Sequence, residues 1–316
     1  MQRLDGATPL PPGLAGGIVA LGNFDGLHLG HQAVVGAAVA RARAEGRPAL
    51  VATFDPHPVR LFKSDAAPFR LTSLDQRARL FAAAGVDAMM VFRFDAALAA
   101  LSARAFVEER LLGDLKIGGV VTGEDFTFGR ARSGTVATLR EWGRELGFSS
   151  DAVAPVALDG ETVSSTRIRQ YLAAGEPREA ARLLTRPFTI EGVVQHGDKL
   201  GRTIGYPTAN LDMGEYLRPA YGIYAVRGTL EDGRVLDGAA NLGIRPQFDP
   251  PKELLEPHFF DFAGDLYGQR LSVELIEYLR PEAKFETLDA LVAQMDADCA
   301  RARAILAHMP ASHNPA

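Results

Sequence analysis

The chain has 316 residues, of which 47% are hydrophobic, and a formal net charge of −5. The length predicts two domains, since a domain has roughly 100–200 residues, and the apolar fraction is too high for a disordered chain. The acidic balance argues against nucleic acid as the main partner, because phosphate backbones are bound by clustered Lys and Arg. No apolar run approaches the ~18 residues of a membrane span, and the N-terminal residues lack a signal-peptide pattern. Cys299 is the single cysteine of the sequence, which excludes an internal disulfide. We therefore expect a cytoplasmic protein with neither membrane nor nucleic acid as a partner.

The first half of the chain alternates apolar runs with helical patterns. Strands are predicted at Ile18–Leu21, Ala49–Phe54, Ala88–Phe94, Ile117–Thr122 and Asp151–Val156, and helices near Gln32–Ala44, Leu74–Ala84, Ala103–Leu112 and Val136–Leu146. Continuous apolar strands that alternate with helices predict an α/β fold with a parallel sheet covered on both faces. Ligands of such sheets bind at the carboxyl ends of the strands, which is where the motifs of this half fall.

The segment Gly17–His31, GIVALGNFDGLHLGH, joins an apolar strand to a glycine-rich turn and a helix start. This arrangement points backbone N–H groups and a helix N-terminus at a bound anion. His28 and His31 are three residues apart, so both imidazoles can face one phosphate, although two histidines in a turn are often only solvated. The chain contains neither a G-x-G-x-x-G nor a P-loop motif, so the expected phosphate site is of neither type.

The H-x-G-H of this segment resembles the signature of the nucleotidyltransferase superfamily. LGNFDGLHLGH is similar to the FMN adenylyltransferase module of the bacterial bifunctional riboflavin kinase/FAD synthetase family. The resemblance implies a Rossmann-like N-terminal domain in which the two imidazoles hold the triphosphate of ATP and stabilise charge as pyrophosphate leaves. The ATP-binding residues implied in this turn are Gly22, Asn23, Phe24, Asp25, Gly26, His28 and His31.

Two further segments follow predicted strands and resemble flavin-binding segments of the same family. TFDPHP contains two prolines that fix a non-helical loop, and a purely structural loop is the alternative. TGEDFTFGR combines glycines, aromatic rings and a carboxylate, which suits a planar ligand; a surface hairpin is the alternative. The segment RARSGT, which follows it, is assigned no role. The flavin-binding residues implied here are Asp55, Pro56, Pro58, Gly123, Asp125 and Phe126.

The segment SSTRIR opens a helix that is predicted to run to Ala173. Ser164 or Ser165 can cap this helix, and capping alone would explain the hydroxyls. It does not explain two arginines in the first turn, where the helix dipole disfavours cations, whereas a polyphosphate over the helix end would. The segment resembles the family motif that closes over the ATP phosphates, which implies ATP contacts from Ser164, Thr166 and Arg167, with Arg167 also catalytic; Arg169 is interpreted as solvated.

A helix at Pro177–Leu184 precedes a predicted domain boundary, which divides the chain into residues 1–185 and 186–316. The runs beyond it lack intervening helices and predict an antiparallel β-barrel, closed or nearly closed. One final helix is expected to pack on the barrel through an apolar stripe, and the tail from Pro310 is expected to fray. The strand-like runs are Phe188–Gln195, Gly222–Thr229, Val235–Ala240, His258–Phe262 and Leu271–Tyr278, and the stripe is Leu288, Leu291, Val292, Met295, Cys299 and Ala302.

The segment from Gln195 to Asp212, QHGDKLGRTIGYPTANLD, has the composition of a phosphate-binding loop. Its glycines let the backbone approach a phosphate, and the oxygens of Thr208 and Asn210, at alternate positions, suit Mg²⁺; an ordinary glycine-rich loop is the alternative. GRTIGYPTAN resembles the riboflavin kinase motif. The resemblance implies ATP binding by Gly197, Lys199, Gly201, Arg202, Thr208 and Asn210, the last two also as magnesium ligands.

A phosphotransferase that acts on an alcohol needs a carboxylate near the hydroxyl. LEPHFFDF and the later DLYG resemble the kinase pattern in which Glu256 takes the proton of the ribityl 5′-hydroxyl, whereas Glu253 is interpreted as a solvated loop charge. NLGIRP also matches the family, although Gln247 stands where Thr is usual. The flavin-binding residues implied in this half are Asn241, Glu256, Arg280 and Phe285.

The resemblance covers about residues 17–305. It implies a bifunctional enzyme that phosphorylates riboflavin to FMN with MgATP and adenylylates FMN to FAD with release of pyrophosphate. A riboflavin kinase with a degenerate adenylyltransferase domain is the alternative enzyme, and a flavin-binding regulator without turnover is the alternative from another class. The intact HLGH and SSTRIR segments argue against the first, and Glu256 and Thr208 argue against the second. Self-association is left open.

Overall fold

The computed structural model describes residues 1–6, 8–63, 65–196, 205–245 and 252–309. The chain divides into two compact units, of which the first contains Met1–Ala67 and Ser73–Ser164 and the second contains Pro68–Thr72 and the described residues from Ser165 onwards. The predicted domain boundary at residue 185 stays a prediction. Several expectations fall on residues outside the described ranges, namely those for Gly197, Lys199, Gly201, Arg202, Gln247 and the tail from Pro310.

A six-stranded parallel sheet forms the centre of the first unit, in the order β1-β4-β3-β2-β5-β8. The predicted parallel sheet is therefore confirmed, with one additional edge strand, β1. That strand has three residues, none of them fully buried, so it leaves no apolar run to find in the sequence. The strands are Gln2–Leu4 (β1), Ile18–Leu21 (β2), Ala49–Asp55 (β3), Ala88–Arg93 (β4), Gly119–Gly123 (β5) and Ser149–Val153 (β8).

Apolar side chains cover both faces of this sheet. Val19 and Leu21 of β2 belong to one buried cluster, and Ile18 and Ala20 belong to the other, which explains why the strand is apolar throughout. The helices are Leu29–Ala44 (α1), Pro58–Phe62 (α2), Leu74–Ala83 (α3), Ala96–Ala100 (α4), Ala103–Ala105 (α5) with the π-helical continuation Phe106–Asp114, and Val136–Leu146 (α6). Two short hairpins pair Thr127–Phe128 (β6) with Gly134–Thr135 (β7), and Ala157–Leu158 (β9) with Glu161–Thr162 (β10).

In its described residues, the second unit is an antiparallel barrel with three helices. Its strands follow the order β11-β16-β13-β14-β15-β12, and an antiparallel bridge between Gln195 and Asn210 joins the two ends of that order. The nearly closed barrel predicted from the sequence is therefore confirmed. The strands are Phe188–Val193 (β11), Leu211–Asp212 (β12), Gly222–Leu230 (β13), Val235–Arg245 (β14), Lys252–Phe259 (β15) and Arg270–Arg280 (β16), and the helices are Ser165–Ala173 (α7), Pro177–Leu184 (α8) and Leu288–Ala307 (α9).

The terminal helix α9 packs on the barrel differently from the predicted stripe. Ala302 and Leu306 are buried in a cluster with barrel residues, but Leu288 is 58% exposed, so the stripe is wrong at its N-terminal end. The middle of the helix is attached to the barrel by an ion pair between the buried carboxylate of Asp298 and Arg280 of β16. Its C-terminal end is capped by Arg227 of β13, whose guanidinium donates to the Leu306 carbonyl at 2.9 Å, as suits a cation at a helix C-terminus.

A transmembrane segment is not found among the helices described: none is both long enough and apolar enough to cross a bilayer.

Candidate active sites

The turn between β2 and α1 carries the two histidines. Pairing with β3 continues one residue beyond the strand, because the Gly22 N–H donates to the Ala52 carbonyl at 3.1 Å. Phe24 and Leu27 then adopt φ values of 51° and 42°, a left-handed region that is strained for bulky side chains and that clusters at functional sites. The Phe24 ring is buried with its edge against Phe81, 5.8 Å between centroids. The glycines predicted a turn, but they did not predict that Phe24 and Leu27 would adopt this backbone.

His28 and His31 form a stacked pair at the N-terminus of α1. Their ring centroids are 3.7 Å apart at an interplanar angle of 18°, and His28 is almost fully buried. His28 caps the helix, since its Nδ1 accepts the His31 N–H at 3.3 Å, which assigns the proton of the neutral ring to Nε2. Both rings lie at the N-terminus of α1, where the backbone N–H groups of a helix favour a bound anion. The pair is therefore suited to a polyphosphate.

Gly30 gives the His28 ring its space. A β-carbon at this position would lie 3.2 Å from Cε1 and 3.3 Å from Nδ1 of His28. Contacts this short would require the His28 ring to move, which is a steric reason for a glycine at this position of H-x-G-H.

A buried polar network that the sequence analysis missed lies directly behind this turn. Arg77 of α3 donates from Nη1 to the Asn23 carbonyl at 2.9 Å and to Thr53 Oγ1 at 3.1 Å. Its Nη2 lies 3.9 Å from Oδ1 of Asp55 at the end of β3. Arg77 is spaced with Leu74 and Phe81 on one helix face, so an arginine within an apolar stripe was the signal available in the sequence.

The residues predicted to bind flavin in this unit lie at the same edge of the sheet as the histidine turn. Asp55 ends β3 and Gly123 ends β5, and these strands flank β2 on either side. Phe126 stacks on Phe128 with centroids 5.9 Å apart at 13°. Asp125 is exposed, and its role, like those of Pro56 and Pro58, stays a prediction.

The arginines of SSTRIR lie on α7, which belongs to the second unit. Arg167 donates to the Tyr171 hydroxyl from Nε at 3.1 Å and from Nη2 at 2.9 Å. Arg169 donates to the Phe69 carbonyl at 2.9 Å and lies 5.2 Å from the Phe69 ring centroid. The interpretation of Arg169 as a solvated charge is therefore wrong, and the phosphate contacts of Ser164, Thr166 and Arg167 stay predictions.

In the barrel, backbone pairing places Asn210 opposite Glu256. Leu211 pairs with Leu255, and the Ala209 N–H donates to the Pro257 carbonyl at 2.9 Å, which continues the same register. Glu256 is in turn paired with Asn241 of β14. Because directly opposite side chains share a face of the sheet, Asn210, Glu256 and Asn241 lie abreast, and Thr208 shares the face of Asn210 through the two-residue repeat.

Glu256 is held within a small cluster of charged and amide groups. Arg245 donates to its carboxylate, and the side chain of Glu256 is 17% exposed. The amide nitrogen of Asn241 donates to Glu282 at 3.1 Å. The Oδ1 atom of Asn241 is buried and has no hydrogen-bond partner among the described residues, so it is available to a donor on a ligand.

Glu253 has a structural role. It belongs to β15 and points to the opposite face from Glu256, because the two are three residues apart. Arg218 Nε donates to its carboxylate at 2.7 Å, and the Tyr221 hydroxyl donates as well. Burial alone would raise the pKa of Glu253, but these hydrogen bonds outweigh it and hold the pKa below its ordinary value. The interpretation of Glu253 as a solvated loop charge is therefore wrong.

Arg280 forms an ion pair with the terminal helix α9. Its Nε lies 3.0 Å from both carboxylate oxygens of Asp298, and its Nη2 lies 2.6 Å from Oδ2. The guanidinium carbon is 5.8 Å from the centroid of the Phe285 ring. The flavin contacts of Arg280 and Phe285 stay predictions.

An open pocket adjoins Thr208. Its walls include Val194, Pro207, Phe259, Phe262, Asp265 and Tyr267. The Tyr267 ring packs on His196, with centroids 3.9 Å apart. Among the described residues, no group of three His, Cys, Asp or Glu side chains is placed to hold a metal, so the oxygens of Thr208 and Asn210 remain the candidate ligands.

The halves of the chain match two different family models. The model for FAD synthetase matches residues 11–167, and the model for riboflavin kinase matches residues 184–306.

Curated relatives match almost the whole chain. A bifunctional riboflavin kinase/FMN adenylyltransferase from Pseudomonas fluorescens is 41% identical over 314 residues, covering 99% of this chain and 100% of the relative. The protein of the same description from Escherichia coli strain K12 is 40% identical over 288 residues, covering 91% and 92% of the two chains. A crystal structure described as a macrolide-efflux protein from Streptococcus pneumoniae has a TM-score of 0.86 at 30% identity and covers 98% of this chain and 100% of its own. The chain therefore belongs to the bifunctional riboflavin kinase/FMN adenylyltransferase family.

Proposed function

We propose that the chain makes FAD from riboflavin in two consecutive reactions, each in its own unit. The barrel transfers the γ-phosphoryl group of ATP to riboflavin and releases FMN and ADP. The first unit joins FMN to the adenylyl group of a second ATP and releases FAD and pyrophosphate. The observation that carries the proposal is that each family match coincides with its own set of substrate-directed side chains: the stacked histidines in one unit, and Glu256 between two asparagines in the other.

In the kinase reaction, Glu256 accepts the proton of the ribityl hydroxyl as that oxygen forms its bond to the γ-phosphorus. Arg245 donates to this carboxylate, and the carboxylate form of Glu256 is the one that can accept the proton. The buried Oδ1 of Asn241 accepts a hydrogen bond from the flavin substrate. The apolar and aromatic pocket beside Thr208 suits the adenine base of ATP.

The donors on the Asn210 strand fit Mg²⁺, because hard oxygen ligands and a few protein contacts are what this ion takes when phosphates supply the rest. Thr208 and Asn210 would hold it on the face they share with Glu256. When bound, the ion neutralises charge on the transferred phosphates.

In the adenylyltransferase reaction, the FMN phosphate attacks the α-phosphorus of ATP and the bond to pyrophosphate breaks. That phosphate is already largely a dianion near pH 7, so the protein supplies neither a nucleophile nor a strong base. His28 and His31 donate to the polyphosphate and stabilise the charge that develops on the leaving group. Phe126, Asp125 and Asp55 are proposed to contact the flavin.

The kinase-only alternative has no support from the comparisons, since the FAD synthetase model matches residues 11–167. The regulator alternative leaves the cluster of Glu256 with Arg245 and Asn241 unexplained, because binding without turnover requires no carboxylate at the reacting hydroxyl. We retain the cytoplasm as the proposed location.

The decisive experiment mixes the protein with riboflavin, ATP and Mg²⁺ and follows the flavins by chromatography. We expect FMN to appear first and FAD later, with ADP and pyrophosphate as the second products. FMN that accumulates without FAD would leave only the kinase, and bound but unchanged riboflavin would favour the regulator.

A further inference from the structure

Arg77 is a buried arginine that none of the motifs contains. Its residue is 4% exposed, and it lies on α3, between β3 and β4 in the chain. Its guanidinium contacts the Asn23 carbonyl in the histidine turn, the Thr53 hydroxyl near the end of β3 and, at 3.9 Å, the Asp55 carboxylate that ends this strand. The side chain therefore links the turn predicted to bind ATP to the strand end predicted to bind flavin.

The stability of the unit alone gives little reason for an arginine here. Burying a guanidinium is costly even when it is paired, and the same helix face carries Leu74 and Phe81, which are apolar. The Asn23 carbonyl already accepts a hydrogen bond from Thr53 Oγ1 at 2.9 Å. An apolar side chain would therefore leave the Asn23 carbonyl with a donor, because Thr53 would still satisfy it.

The second hydrogen bond fixes the direction of a peptide in the turn. A trans peptide is planar, so the N–H of Phe24 points opposite to the Asn23 carbonyl. Arg77 and Thr53 together hold that carbonyl on their own side, which turns the Phe24 N–H away from them, in the turn that leads to His28. Phe24 adopts a φ of 51°, a conformation that needs such support.

We propose that Arg77 is a positioning residue for adenylyl transfer, which keeps the ATP-side turn and the flavin-side end of β3 in register. This role rests on the proposed function of the unit. It acts through Asn23, Thr53 and Asp55, so its consequence is alignment of the FMN phosphate with the α-phosphorus. A misplacement of about 1 Å between reacting groups lowers a rate by about 10²-fold.

The test compares Arg77→Met and Arg77→Lys with the unsubstituted protein, using supplied FMN, ATP and Mg²⁺. For Arg77→Met we expect kcat of FAD formation to fall by about 10²-fold, with smaller changes in the KM values and an unchanged rate of riboflavin phosphorylation in the same preparation. Arg77→Lys retains the charge but loses the forked N–H donors of the guanidinium, so we expect its kcat to lie between those of Arg77→Met and the unsubstituted protein. A merely structural arginine would lower the unfolding midpoint and leave the kcat of the folded protein unchanged.

Arg43→Met provides the matched control. Arg43 of α1 also donates to a carbonyl, that of Gly85 at 2.8 Å, and to a carboxylate, that of Asp87 at 3.1 and 3.2 Å. Asp87 precedes β4, so these contacts lie at the amino end of the strands. We expect this variant to form FAD at the unsubstituted rate.

Thr53→Val provides a second route to the same answer, because it removes an acceptor of Arg77 without removing charge. It should lower kcat in the same direction as Arg77→Met. Unchanged kcat in folded Arg77→Met, or unchanged kcat in both Arg77→Lys and Thr53→Val if Arg77→Met does not fold, would overturn the positioning role. An equal loss in Arg43→Met would overturn it as well. An unsubstituted protein that makes no FAD would instead overturn the proposed function, and this role with it.

Discussion

Gly30 is the residue on which the placement of the two imidazoles depends. We expect Gly30→Ala to lower FAD formation by roughly tenfold, which is about 1.4 kcal/mol of barrier, because its β-carbon would lie 3.2 Å from Cε1 of His28 and displace the ring. Steady-state rates with supplied FMN measure this effect, and riboflavin phosphorylation in the same sample should not change.

Gly36→Ala is the control for this substitution, since Gly36 lies on the same helix and a β-carbon there meets nothing within 4 Å. It should leave FAD formation unchanged and stabilise the helix by about 0.5–1 kcal/mol. Full activity of Gly30→Ala would show that the His28 ring does not need this position.

Glu256 and Glu253 offer a second comparison between neighbouring residues. Glu256→Gln keeps the shape but cannot accept a proton, so we expect riboflavin phosphorylation to fall by about 10²–10⁴-fold, while FAD formation from supplied FMN continues. Glu253→Gln should retain the kinase reaction, because that carboxylate faces the other side of β15 and is held by Arg218 and Tyr221. FMN formed at the normal rate by Glu256→Gln would assign the base to another group.

Predictability from sequence differs between residues for a physical reason. His28 and Glu256 lie in contiguous motifs, and the chain positions them locally, at a strand end and within a strand. Arg77 acts through Asn23, which is 54 positions away in the chain, so only the tertiary structure reveals its partners. Asn241 shows the intermediate case, because its motif was recognisable but its orphaned Oδ1 was not.

At the scale of elements, apolar runs located the strands that are buried on both faces. Ile18–Leu21 and Val136–Leu146 are observed with the predicted bounds. In the barrel, β14 extends to Arg245 and β15 begins at Lys252, well beyond the apolar cores predicted for them. These extensions carry charged residues and are held in the sheet by backbone pairing between strands. A pattern of apolar residues therefore does not predict them.

The predicted apolar stripe of α9 is wrong at Leu288 for a related reason, because the helix is attached to the barrel partly by the ion pair between Asp298 and Arg280. We expect Asp298→Ala to lower the free energy of unfolding of the second unit by about 3–5 kcal/mol, because it leaves the guanidinium of Arg280 without its buried partner. Urea unfolding followed by circular dichroism measures the change.

The matched variant is Asp261→Ala, which breaks the pair between the same helix and the barrel at Arg303. That carboxylate is exposed, so its loss should change the free energy of unfolding by no more than about 1 kcal/mol. Equal effects of the two substitutions would mean that Asp298 does not anchor the helix.

At the scale of the whole molecule, the chain contains two units with separate parallel and antiparallel sheets. Each has its own candidate active site and its own family match. One reaction can therefore be abolished by a substitution that leaves the fold of the other unit intact, and FMN is the only compound that must connect them.

This separation predicts complementation between two impaired variants. His28→Ala should make FMN but form FAD about 10²–10³-fold more slowly, because that is the cost of losing one charge-stabilising donor, and Glu256→Gln should make FMN about 10²–10⁴-fold more slowly. Mixed in the presence of riboflavin, ATP and Mg²⁺, the two should form FAD after a lag, since FMN released by one molecule is adenylylated by the other. The lag should shorten as the concentration of His28→Ala protein rises. If FMN accumulates on the His28→Ala protein while the mixture forms no FAD, and Glu256→Gln still converts supplied FMN, then FMN made by one chain does not reach another, and the two units act on it within a single molecule.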